Sequence, residues 1–159
     1  MGDLAADRML TAVDVCRGVS RLLVRGGVAP LAEVSLGCGR RADIMGIDGQ
    51  GRLTIVEIKV SLADLRGDRK WAEYLDYCDR FYWAVPAGFP LGLFDTANFA
   101  PGRCGLIVAD RFDAEELRPA PWVALNATRR KVETLRFARR AAHRIAGMLD
   151  PEGLFPGDD

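Results

Sequence analysis

Histidine occurs once in this chain, lysine three times against 19 arginines, and the formal charge sums to zero. The lone His143 stands among arginines, so no Ser-His-Asp set can be assembled and acyl-transfer hydrolysis is not indicated. Neither the Gly-Gln-Gly turn nor residues 102–105 make a GxGxxG or P-loop pattern, which leaves nucleoside triphosphate hydrolysis without support. Cys16, Cys38, Cys78 and Cys104 lie far apart and lack CxxC spacing, so neither a zinc site nor a disulfide framework is expected. Nothing approaches the roughly 20 apolar residues that span a bilayer, and "MGDLAADRML" lacks a basic start and an apolar core. A cytoplasmic protein with free thiols and no membrane partner is the expectation. Internal repeats and a second domain are also missing.

What is present suits one compact core: 159 residues, 49% hydrophobic and 28% charged. Charge is unevenly placed. Residues 129–144 hold seven Lys or Arg against the single Glu133, a local net of +6 that leaves −6 for the remainder.

Helical spacing through Met9, Val13, Cys16, Val19 and Leu23 predicts an amphipathic helix over 8–25, stopped at Gly26-Gly27. "LAEVSLG", "RRADIMGI" and "RLTIVEIKV" predict three strands in a meander. A helix follows over 61–80, capped by Ser61 and interrupted at Gly67. "FYWAVP" and "CGLIVAD" read as two buried strands, with a loop between them. Residues 111–128 look irregular, 129–149 form the last helix, and 151–159 are a flexible tail after a domain of 1–150. This order predicts an α/β fold with a central mixed sheet flanked by helices.

The strand "TIVEIKVS" raises the functional question. Residues two apart point the same way, so Glu57 and Lys59 share a face with Leu53 and Ile55. Asp43 shares a face with Met45 and Ile47 on the preceding strand. If Asp48 pairs with Arg52 across a three-residue loop Gly49-Gln50-Gly51, with Gly51 left-handed, Asp43 falls opposite Glu57; a two-residue loop would pair it with Val56. Adjacent carboxylates repel and raise a pKa unless a positive charge sits between them. Carboxylate and carbonyl oxygens suit Mg²⁺ or Mn²⁺. Lys59, in a chain that otherwise favours arginine, could orient or deprotonate a water and offset charge on a phosphorane. The alternative is that Glu57 and Lys59 are the solvent face of an edge strand and Asp43 is one more surface acid.

Further on, Asp68, Lys70, Tyr74 and Asp79 could hold a phosphate or support Lys59, while Trp71, Tyr74 and Leu75 could equally pack a helix on the sheet. On the last helix, Val132, Leu135, Ala138, Ala142, Ile145 and Leu149 form an apolar stripe. Arg136, Arg139, Arg140 and Arg144 crowd the other side, either as contacts to DNA phosphates or as a solvated basic face.

"RRADI", a turn and "IVEIKVS" resemble the PD-(D/E)XK nuclease signature. The longer run from "RADIMGID" through "VEIKVSLADLRGDRKWAEYLDYCDRFYWAVP" is similar to the MmcB-like family of bacterial DNA repair proteins. The resemblance implies a single-domain restriction-endonuclease-like core and a metal-dependent DNA endonuclease acting in repair, leaving a 5′-phosphate. Asp43 and Glu57 would match the metal-binding acids, Lys59 the catalytic lysine, and the Ile58 main-chain carbonyl a further ligand of Mg²⁺ or Mn²⁺. For an additional acid the first helix offers Asp7 and Asp14, and Glu33 is the better candidate. DNA is the implied partner, with a homodimer or a repair protein as others. A catalytically silent nuclease-like module that binds DNA structures or repair partners is the alternative.

Overall fold

The computed structural model describes residues 9–154, so Asp7 and residues 155–159 of the expected tail lie outside them. Helix α1 (Ala12–Arg25) starts at a capping box: Thr11 accepts from the Asp14 amide, and Asp14 returns the bond to the Thr11 amide. Its buried stripe is Val15, Gly18, Val19 and Leu23. Met9 and Val13, expected on that stripe, are exposed: Met9 precedes the Thr11 cap, and Val13 lies about 200° around the helix from Val15.

Strands β1 (Val28–Ser35), β2 (Arg41–Asp48) and β3 (Leu53–Ile58) form the predicted antiparallel meander. A short helix α2 (Leu62–Gly67), capped by Ser61, ends where Gly67 was expected to break it, and Trp71–Tyr77 continues as 3₁₀ helix. Then come β4 (Arg80–Pro86), 3₁₀ turns at Leu91–Asp95 and Ala97–Phe99, β5 (Cys104–Ala109), β6 (Ala114–Arg118) and α3 (Ala127–Leu149). The six strands lie in sequence order, with β3, β4 and β5 parallel and the other pairs antiparallel. This is the expected α/β mixed sheet. Strand β6 falls within residues read as irregular. Its Glu115, Glu116 and Leu117 are exposed, so no alternation marks it, and its acids suit a sheet edge.

One sheet face packs on α1 through Val15, Val19, Ile44, Val56, Tyr82 and Ile107. Gly18 makes this possible: a Cβ there would lie 2.2 Å from the Asp110 carbonyl oxygen and 2.4 Å from that of Asp113. The opposite face carries an aromatic core of Trp71, Tyr74, Phe81, Trp83 and Phe94, with Phe137 from α3. The packing reading of Trp71 and Tyr74 therefore holds. Among the described residues no helix is long and apolar enough to cross a membrane.

Helix α3 corrects the expected apolar stripe. Its buried residues are Glu133, Phe137 and Arg140, while Leu135, Ile145 and Leu149 are 55%, 57% and 82% exposed. The helix docks by its cations. Arg130 reaches Asp79 and the Gly51 carbonyl, Arg140 the Ser35 hydroxyl, and Arg144 the carbonyls of Ala32 and Glu33. Asp79, considered above as a support for Lys59, lies instead at the start of β4, at the other end of β3, where it also accepts from the Leu53 and Leu125 amides.

Candidate metal and phosphodiester site

The β2–β3 loop decides the site. Asp48 and Arg52 close it with an amide-to-carbonyl bond of 3.1 Å, and Gly51 has φ +77°. The resulting register pairs Ile44 with Val56 and Ile47 with Leu53, which sets Asp43 opposite Glu57, as the three-residue loop requires. Beyond Ile44 and Val56 the ladder gives way to side chains. Glu57 Oε1 accepts from the Asp43 amide at 3.1 Å, and Asp43 Oδ2 accepts from the Ile58 amide at 2.7 Å. The two acids thus bracket a fork between strands, and the Ile58 carbonyl emerges on the same strand edge as its amide.

Glu57 and Lys59 are buried and Asp43 is half-buried, so the solvated edge-strand alternative fails. Burial, then the neighbouring Asp43 charge, pushes the Glu57 carboxyl up to about 8. Burial also raises Asp43, against the pull of the Ile58 amide and Lys59. For Lys59, burial disfavours the ammonium, but the hydrogen bond and charge of Asp68, with Asp64 and Glu57, outweigh it and leave the group above its ordinary value. Asp68 lies 3.0 Å from Lys59 Nζ and Asp64 3.8 Å. Asp68 therefore supports Lys59, as considered. Asp64 was missed, although its place three residues after the Ser61 cap was readable. Lys70 is exposed, and its amide, not its ammonium, meets Asp68 at 3.3 Å. The Tyr74 hydroxyl donates to the Arg41 carbonyl at 3.1 Å, and burial with the Glu57 charge raises its pKa.

Glu33 occupies the β1 position facing Asp43 but interrupts the β1–β2 pairing with φ 53°, and its exposed carboxylate meets Arg41 at 3.4 Å. Asp14 is spent on the α1 cap. Among the described residues no three acid, His or Cys side chains gather into a metal cluster. A cleft of about 400 Å³, lined by Cys16, Arg17, Glu33, Asp43 and Ile58, opens onto the fork. Two carboxylates, each with one oxygen taking no hydrogen bond from the described residues, destabilised as anions and beside a main-chain carbonyl, fit a partly hydrated Mg²⁺ or Mn²⁺.

Of the arginines expected on DNA phosphates, Arg140 is buried, Arg144 grips β1, Arg136 lies 3.7 Å from Glu133, and Arg139 is exposed.

Fold and fork define a single α/β domain with an Asp-Glu-Lys constellation, its Glu and Lys buried, in a mixed sheet. The chain belongs to the family described as DNA repair protein MmcB-like, whose model matches residues 4–152. It is similar to a solved protein of unknown function from Silicibacter pomeroyi, at 40% identity over 89% of this chain and 94% of that one, with a TM-score of 0.79. A repair endonuclease from Pyrococcus abyssi matches at 17% identity over 69% of this chain and 50% of that one, with a TM-score of 0.37. No curated protein matches the chain.

Proposed function

We propose that the chain is a Mg²⁺- or Mn²⁺-dependent DNA endonuclease acting in DNA repair. The observation that carries this reading is the pair of half-buried Asp43 and buried Glu57, bonded main chain to side chain across the strand fork and backed by Lys59. Asp43, Glu57 and the Ile58 carbonyl would hold the cation. When bound, it supplies Lewis acidity toward a phosphoryl oxygen and makes an attacking water more acidic.

The chain's own residues do the rest. Lys59, kept protonated by Asp68 and Asp64, acts as a fixed positive charge that orients the attacking water by donating to its oxygen and offsets charge building on phosphorus. Of the two roles anticipated for Lys59, this favours orientation over proton abstraction, since an ammonium at neutral pH has no lone pair to accept a proton. The attacking water adds to phosphorus and loses its proton to solvent, the bond to the 3′ oxygen breaks, and that oxygen takes up a proton. The products are a 3′-hydroxyl and a 5′-phosphate.

The second reading, a silent module that binds DNA or a repair partner, is favoured by one observation: no third acid joins Asp43 and Glu57 among the described residues. Cleavage of labelled linear, nicked, branched and single-stranded DNA with Mg²⁺ or Mn²⁺ separates the two. The wild type is expected to cut at least one substrate, and Lys59→Ala to lose at least a hundredfold in rate. Tight binding of one DNA without cutting would replace the enzyme by the module.

A further inference from the structure

Lys59 has a second neighbour besides the strand fork. Asp68, which holds its ammonium, also lines a groove of about 580 Å³ on the α2 side of the sheet. Leu93 and Trp71 contribute apolar lining, Arg66 and Arg69 guanidinium groups, and Asn98 an amide. Arg66, Arg69 and Asn98 are exposed, and none of their side chains meets a partner among the described residues. The arginines of α3 differ: Arg130, Arg136, Arg140 and Arg144 are engaged with Asp79, Glu133 and β1. Arg17 of α1 is exposed in the cleft beside Asp43, and on the Asp68 side of Lys59 the uncommitted cations are Arg66 on α2 and Arg69 just beyond it.

We propose that this groove takes an unpaired nucleotide next to the scissile phosphate, so that the preferred DNA carries a single-stranded segment at the cleavage point. The proposal rests on the reading of Asp43, Glu57 and Lys59 as the phosphodiester site. Apolar lining suits the face of a base, guanidinium groups suit the flanking phosphates, and an amide carries both donor and acceptor for a base edge. A base is available to such a groove only when it is unpaired, and about 580 Å³ is room for a single nucleotide. The shared Asp68 wall places the groove one side chain away from Lys59.

Binding is measured without divalent cation, so that no cutting is needed, using a labelled single-stranded oligonucleotide and a blunt duplex across a salt series. Arg66→Ala/Arg69→Ala is expected to weaken single-strand binding about tenfold. Loss of two phosphate contacts should flatten the slope of log K against log salt by about 1.4, from about 0.7 per contact. Duplex binding should change less than threefold. Arg66→Gln/Arg69→Gln, which keeps the side-chain bulk, should behave alike, and both variants should melt with the wild type. An unchanged slope, an equal loss on both DNAs, no single-strand binding by the wild type, or a slope that responds instead to Lys131→Ala/Arg139→Ala on α3 would each overturn the groove. A protein that binds single strands through Arg66 and Arg69 but never cuts would overturn the endonuclease reading and leave the groove standing.

Discussion

Two buried acids outside the fork show how differently a carboxylate can be treated. Asp79 is 2% exposed and bonded to Arg130 and to the amides of Leu53 and Leu125. Burial pushes its carboxyl up, but these donors more than compensate and hold it below the usual range. A depressed acid stabilises the fold above its unfolded pKa of about 3.9, and loses that contribution as pH falls through the folded value. Asp79→Asn should therefore cost about 3 kcal/mol in urea unfolding at pH 7, with the gap to wild type closing below about pH 4. Glu133 is fully buried with both oxygens unbonded, its nearest cation being Arg136 at 3.7 Å, and burial raises it. A raised acid behaves oppositely: its stabilisation is complete below the unfolded pKa and is lost as pH rises through the folded one. Glu133→Gln should remove that loss and leave the variant at least as stable as wild type at pH 8, read by the same unfolding curves. The pairing of Asp43 with Glu57 was legible because Asp48, Gly51 and Arg52 dictate a local loop. The Asp68 and Asp64 partners of Lys59 were harder to single out, since they approach it through space from another element.

At the scale of elements, α1 is positioned by one small residue. With carbonyl oxygens 2.2 and 2.4 Å from where a Cβ would sit, Gly18→Ala must lift the helix from the β5–β6 turn. A loss of about 2 kcal/mol is expected, well above the usual helix gain from replacing Gly by Ala, and thermal unfolding would show it. The meander, the two buried strands β4 and β5 and the break at Gly67 were all readable from apolar runs and a helix breaker. Strand β6 was not, because an edge strand with outward acids has no buried face to impose alternation. The phase of α3 misled for a related reason: counting apolar residues assumes that they face inward, whereas here Arg140 and Glu133 do, and Leu135 and Ile145 face out.

For the whole molecule, a cation held at the fork, as proposed, would couple its binding to folding. Two carboxylates that resist ionisation in the folded chain would be relieved by a divalent cation, and a ligand at 100 times its Kd stabilises by about 2.7 kcal/mol. Mn²⁺ should therefore raise the melting temperature by several degrees at pH 8, and Asp43→Ala or Glu57→Ala should abolish the rise. A shift that survives both substitutions would place the cation elsewhere.

Helix α3 is fastened to the sheet by guanidinium groups on Asp79, on β1 carbonyls and on the Ser35 hydroxyl, with Phe137 as its one buried apolar side chain. Heat capacity rises on unfolding chiefly through apolar exposure and falls through polar exposure. Undocking α3 therefore raises heat capacity less than the release of α1, whose own Val15, Val19 and Leu23 are buried against the sheet. In a calorimeter the two faces of this sheet have different signatures, and the face that carries Glu57 and Lys59 sheds its outer helix with less of the curvature that marks loss of a hydrophobic core.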